Sequence, residues 1–215
     1  MSADMMQRSH GAWRDAWRAS GLREPAGLLE SLIARYEEPH RAYHSLRHIE
    51  ECFDALAPAS ALAERLPELQ LALWFHDAIY DPRADDNELA SAGFARASVV
   101  LAGMDAAGAE RVVELILATR HESPATLQDA RLLADVDLAI LAAGPGRFRE
   151  YQIQIRQEYS FVAPDEFERR RTKILESFLS RPAIYQTKSF STRLEQNARV
   201  NIETELDGIR KRKNR

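Results

Sequence analysis

The chain has 215 residues, 45% of them apolar and 29% charged, with a net charge of −4. That length suits one domain with a full core, and the composition is that of a soluble globular protein. The acidic balance disfavours binding of duplex nucleic acid through bulk charge, and the single cysteine, Cys52, excludes an internal disulfide and a cysteine-based zinc site. A polar start from Met1 to Arg14 has no signal-peptide core. No apolar run reaches the roughly 18 residues of a membrane span. The expectation is a cytoplasmic protein with no membrane partner.

In chain order, the periodicity predicts helix nearly throughout. The first pattern runs from about Ala26 to Tyr36, with Leu28, Leu29, Leu32, Ile33 and Tyr36 on one side, and Glu37-Glu38-Pro39 interrupts it. A second helix is expected from near His44 to Leu56, with Ile49, Cys52, Phe53 and Leu56 as its apolar stripe. A third, from about Glu68 to Ile79, is apolar on nearly all sides and should lie in the middle of the fold. After a loop from Asp81 to Asn87, helices are expected from Glu88 to Ala102, from Ala107 to Thr119 and from Leu127 to Ala143. Gly144-Pro145-Gly146 is a break. Arg147 to Ile209 reads as two or three further helices, broken near Arg181-Pro182, with Phe161, Phe167, Ile174, Leu175, Phe178 and Leu179 as core. The basic tail from Arg210 to Arg215 is expected to fray. There is no repeat, no strand pattern and no phosphate-binding glycine loop.

Three polar groups interrupt these apolar patterns. His76-Asp77 ends the stretch Leu71-Ala72-Leu73-Trp74-Phe75. A buried histidine beside an aspartate needs compensation, either from a shared divalent cation or from a pairing that caps or ties helices. His44 and His48 are four apart, one turn of a helix, so one can ligate a metal while the other reaches a substrate, or both are plain surface residues. Asp135-Val136-Asp137 lies between Leu132-Leu133-Ala134 and Leu138-Ala139-Ile140-Leu141, where the carboxylates need partners or stay protonated: they share a cation, or they are salt-bridged or solvent-facing. His10 and His40 have no evident partners and read as exposed polar residues.

One histidine, then His-Asp, then a distant aspartate, all on helices, resembles the signature of the HD-domain superfamily of metal-dependent phosphohydrolases. Tyr43-His44-x-x-x-His48 also resembles the opening motif of the cyclic-nucleotide phosphodiesterases. Trp74-Phe75-His76-Asp77-Ala78-Ile79-Tyr80-Asp81, Asp86-Asn87-Glu88-x-x-Ser91-Ala92, Ala118-Thr119-x-His121 and Phe178-Leu179-x-Arg181-x-x-Ile184-Tyr185 are similar to a branch of small bacterial HD proteins. The resemblance implies an all-α, HD-domain-like helical bundle with additional C-terminal helices. Residues 1–215 would form one domain, with a metal-site core at about 42–141, a helical extension at about 147–209 and the tail at 210–215.

The resemblance further implies that His48, His76, Asp77 and Asp137 hold one divalent transition metal ion, with His44, His121 and Asp135 as further candidate ligands. Two imidazoles and two carboxylates suit Mn²⁺, Fe²⁺, Co²⁺, Ni²⁺ or Zn²⁺, with Mg²⁺ also open. His44 would act as the general acid, Asp77 would orient the attacking water, and Glu88 would support the site or would simply be a first-turn glutamate. Arg47, Arg120 and Lys188 are candidate phosphate contacts or solvated surface charges, and Arg169-Arg170-Arg171 faces solvent, a phosphate or an oligomer partner. The implied activity is hydrolysis of a phosphoester in a nucleotide or another small phosphorylated metabolite. The alternative is an HD-fold regulatory module that binds metal or nucleotide without turnover. A homo-oligomer is compatible with either.

Overall fold

The computed structural model describes residues 3–213, and the side chains of residues 10–213. Among the described residues it is all-helical: α1 (Ala3–Ala19), α2 (Leu28–Tyr36), α3 (Leu46–Leu56), α4 (Leu66–Phe75), α5 (Asn87–Leu101), α6 (Ala106–Leu117), α7 (Gln128–Asp137), α8 (Pro145–Glu158), α9 (Pro164–Leu179) and α10 (Lys188–Lys213). Short 3₁₀ turns follow α3, α6 and α7. No helix among the described residues is long and apolar enough to cross a membrane. The chain divides into two compact units, Met1–Ala134 and Asp135–Arg215.

In the first unit α4 is the central element, packed against α1, α3, α5 and α6. Leu69, Leu71, Ala72, Leu73, Trp74 and Phe75 are all buried, as an all-round apolar helix requires. Each such large side chain removed from water contributes roughly 1.5–3 kcal/mol. The helix α1, which the apolar periodicity does not single out, covers one side of α4. Trp13, Ala16 and Trp17 are buried, and the Trp13 ring stands edge-on to Trp17 and Trp74, each at 5.4 Å. Two indoles recurring at i and i+4 make this contact in an otherwise polar segment.

Local chemistry sets the helix ends. α5 stops at Gly103, whose φ of 98° is open to glycine, and Gly103 N and Met104 N bond back to Val100 O and Val99 O. Asp105 then caps α6 by accepting from Gly108 N at 2.6 Å. The carboxylate of Asp129, in the first turn of α7, accepts from Glu64 N and Arg65 N, both at 2.8 Å, and so holds the start of α4.

The second unit comprises the end of α7 and α8, α9 and α10. Its connector from α9 to α10 is pinned by carboxylates. Asp135 accepts from Gln186 N, Thr187 N and Thr187 Oγ1 at 2.6–2.7 Å. Glu195 accepts from Ile184 N through both oxygens at 3.0 Å. The Tyr185 hydroxyl donates to Leu138 O, and the Asn201 amide to Leu141 O and Ala143 O, which satisfies the carbonyls of the 3₁₀ turn.

Several expectations change here. The helix expected to Ala143 tightens to 3₁₀ after Asp137. α9 buries only Arg171, Leu175 and Phe178 and leaves Ile174 50% exposed, because this helix is covered along a narrow stripe, and Phe161, in the turn before it, is 43% exposed. Arg171 is not solvated: it donates to both oxygens of Glu205 and to the Tyr151 hydroxyl, whereas Arg169 and Arg170 pair with Glu166 at the surface. The basic tail continues α10 to Lys213, with Arg212 paired to Glu168 at 2.7 Å, and Asn214 and Arg215 lie outside the described residues.

Asp135 is fully buried and receives three donors, so its removal leaves them without an acceptor. Asp135→Ala should lower the unfolding free energy by roughly 2–4 kcal/mol, read from urea denaturation.

Candidate metal centre

The centre is built at the C-terminal end of α4, where a buried helix exposes carbonyls that have no partner within the helix. The expected continuation to Ile79 does not occur. The Leu73 carbonyl, which Asp77 N would take in a longer helix, instead accepts from His76 Nδ1 at 2.8 Å. The Trp74 carbonyl accepts from the Tyr36 hydroxyl at 2.8 Å, and Ala78 N turns back to Phe75 O. His76 therefore closes the helix, and Asp77 sits in the turn beyond it.

That closure fixes the chemistry of His76. A carbonyl can only accept, so Nδ1 carries the hydrogen and Nε2 of the neutral ring presents a lone pair. Nε2 lies 3.2 Å from His48 Nε2 and 3.1 Å from Asp77 Oδ2. Asp77 Oδ2 is 3.5 Å from His48 Nε2. Three electron-rich atoms this close repel unless a proton or a cation lies among them. Atoms sharing an ion at bond lengths of about 2.1 Å would sit about 3.0 Å apart in an octahedron and about 3.4 Å apart in a tetrahedron. Two of the observed spacings, 3.1 and 3.2 Å, fall in that range and the third, 3.5 Å, lies just above it, and both imidazoles are buried.

Asp137 joins this group: its carboxylate and the ligand nitrogens of His48 and His76 lie within 4.8 Å of one another, so the three could hold a metal ion.

The carboxyl of Asp77 is held below the ordinary range. Burial alone would push it up, but positive charge on the surrounding imidazoles of His76, His44 and His48 when they are protonated, and the hydrogen bond a protonated His76 then gives, outweigh that. The Tyr36 hydroxyl shifts the other way. Burial raises its pKa well above 10.0, the negative charge of Asp77 adds to the rise, and Arg41 opposes it.

His44 is not in a helix. α3 begins at Leu46 after Ser45, so the one-turn relation between His44 and His48 does not apply. The two rings still lie 6.1 Å apart, because the turn before α3 folds His44 onto the Tyr80 ring at 4.2 Å and places Tyr43 beside both histidines. Cys52, one turn after His48, sits 3.7 Å from its ring nitrogens.

Other residues singled out from the sequence take separate places. Glu88, in the first turn of α5, is 3.9 Å from Arg120. His121 ends the 3₁₀ turn after α6 with φ of 55°, the one positive φ outside glycine among the described residues. Asp135 turns its oxygens to Gln186 and Thr187. Arg47 pairs with Glu51, and His40 Nε2 donates to the Tyr80 carbonyl at 2.8 Å.

Sequence reasoning missed Arg41 and Tyr36 as parts of this centre. Arg41 donates to the carbonyls of His44, Asp77 and Ala78 and to Glu38. An arginine within Pro39-His40-Arg41-Ala42-Tyr43-His44 gives no sign of burial, since its acceptors are distant backbone carbonyls. No family model, curated protein or solved structure matches the chain.

Because the folded pKa of Tyr36 lies above its unfolded value near 10, its stabilising effect is complete below about pH 10 and is lost as the pH rises towards the folded value. Tyr36→Phe should cost roughly 1 kcal/mol at pH 7 and flatten the alkaline decline in stability, measured as Tm between pH 8 and 11.

Proposed function

We propose that this protein is a metal-dependent phosphohydrolase acting on a small phosphorylated metabolite such as a nucleotide. The observation that carries the reading is the convergence of His76 Nε2, His48 Nε2 and Asp77 Oδ2 at 3.1–3.5 Å, with the His76 tautomer set by Leu73 O. The resemblance to the HD-domain superfamily supports the choice of reaction.

His48, His76, Asp77 and Asp137 would hold one divalent ion. Imidazole and carboxylate donors favour Mn²⁺, Fe²⁺, Co²⁺, Ni²⁺ or Zn²⁺. When bound, such an ion makes water more acidic and offsets charge developing on phosphorus. Asp77 is two-pronged: Oδ2 faces the histidines, and its other oxygen is the group that would orient the attacking water. The side chain of Asp77 is 15% exposed. His44 would give its proton to the leaving oxygen. Stacking on Tyr80 restricts the ring to one plane, which suits a donor that must meet its acceptor within about 2.6–3.2 Å.

The test has two parts. Purified protein should contain or take up about one equivalent of transition metal, and His76→Ala should lose it. Equal metal content in both proteins would defeat the metal assignment. In a panel of nucleotides and generic phosphate esters with Mn²⁺ or Ni²⁺, the protein should turn over at least one substrate, and Asp77→Ala should reduce kcat at least about 100-fold. Metal binding with no turnover across the panel would replace the enzyme by a non-catalytic metal-binding module.

A further inference from the structure

Arg41 has the most constrained side chain around the centre, yet it touches none of the candidate ligand atoms. Its side chain has no exposed surface. Nη1 donates to two carbonyls, His44 O at 3.1 Å and Asp77 O at 2.6 Å. Nη2 donates to Ala78 O at 3.2 Å, and Nε donates to Glu38 Oε2 at 3.0 Å. The rings of Tyr36 and Tyr80 lie 5.2 and 5.4 Å from the guanidinium. Burying a charge costs several kcal/mol unless it is paired and hydrogen-bonded, and here four bonds, one carboxylate and two aromatic rings offset that cost.

We propose that Arg41 is a positioning residue that sets the separation between the His44 turn and the Asp77 turn. The proposal rests on the metal-centre reading above and assigns to that centre a part outside the ligand set. The reason is geometric. His44 precedes α3 and Asp77 follows α4, so no helix holds either of them in place. A single nitrogen bridges the two backbones, and the rest of the same planar group grips Ala78 and Glu38. The guanidinium fork is rigid, so the relation between the carbonyls it bridges is rigid too. A lysine ammonium carries similar charge but is a point donor on a flexible stem, and it cannot reach four acceptors in one plane. The contact also matches the dipole of α4, whose C-terminal end favours a cation. His40 adds a second stitch from the same segment through Tyr80 O.

The test is a Co²⁺ titration of the full chain, followed by the visible d–d absorption of bound cobalt, which reports coordination geometry. Circular dichroism confirms that each variant is folded. Arg41→Lys should bind Co²⁺ about 10-fold more weakly and show an altered band, the size of effect seen when groups supporting ligands are changed. With a turned-over substrate, it should lower kcat and leave KM nearly unchanged. Glu38→Ala is the second variant, at a carboxylate side chain 37% exposed, and removes the Nε partner without opening the core. It should shift affinity and band in the same direction by a smaller factor, about 3-fold. Wild-type affinity and band in both folded variants would overturn the proposal while leaving the metal centre intact. If Arg41→Lys does not fold, wild-type behaviour of Glu38→Ala alone overturns it. Failure of the unmodified protein to bind Co²⁺ is a different result, and it removes the metal-centre reading and this proposal together.

Discussion

The organisation of the first unit depends on how the carbonyls at the buried end of α4 are satisfied. A helix surrounded by apolar neighbours cannot leave its last carbonyls to water, and each buried acceptor without a donor costs about 1–3 kcal/mol. Here side chains supply the donors: His76 for Leu73, Tyr36 for Trp74, and Arg41 for Asp77 and Ala78. The helix can therefore stop inside the protein. The two residues released from the helix at that stop are His76 and Asp77.

The same capping decides the chemistry. The hydrogen bond from Nδ1 leaves the Nε2 lone pair of His76 towards His48 and Asp77. A group satisfying the backbone thereby also orients a candidate ligand, the role that carbonyl partners play behind metal-bound histidines generally. Arg41 extends the principle to His44, whose carbonyl shares a guanidinium nitrogen with Asp77. Stability and site geometry thus share the same bonds. A substitution at Tyr36, Arg41 or His76 removes a donor that serves both.

The second unit uses a related device for another end. The connector into α10 is irregular, and its amides are received by Asp135 and Glu195, buried or half-buried carboxylates on flanking helices. Arg199 spans the same connector by donating to Leu179 O and Arg181 O. Neighbouring aspartates on one helix therefore have different surroundings. Asp135 faces backbone amides, and Asp137, two residues on, approaches imidazoles, because a shift of two positions on a helix turns a side chain to a different face.

Much of this was legible in the sequence. The 3.6-residue spacing of Leu28, Leu32 and Tyr36, the all-round apolar run from Leu69 to Phe75, and the break at Gly144-Pro145 determined an all-helical chain with α4 at its centre. They did so because helix periodicity and helix breakers are local properties. His76, Asp77 and Asp137 stood out because polar groups in apolar stretches need partners, whereas His48 was marked by its spacing from His44 and by the resemblance to HD-domain proteins. The exposed faces of Phe161 and Ile174, the burial of Arg171 and the anchoring role of α1 were not legible, since each depends on which neighbour covers a given helix face. Only the tertiary structure decided that α4 ends at Phe75, that His44 lies outside α3, and that Arg41 joins their turns. Those outcomes follow from hydrogen bonds between residues 36 to 38 positions apart, and a carbonyl's need for a donor does not say which distant side chain will supply it.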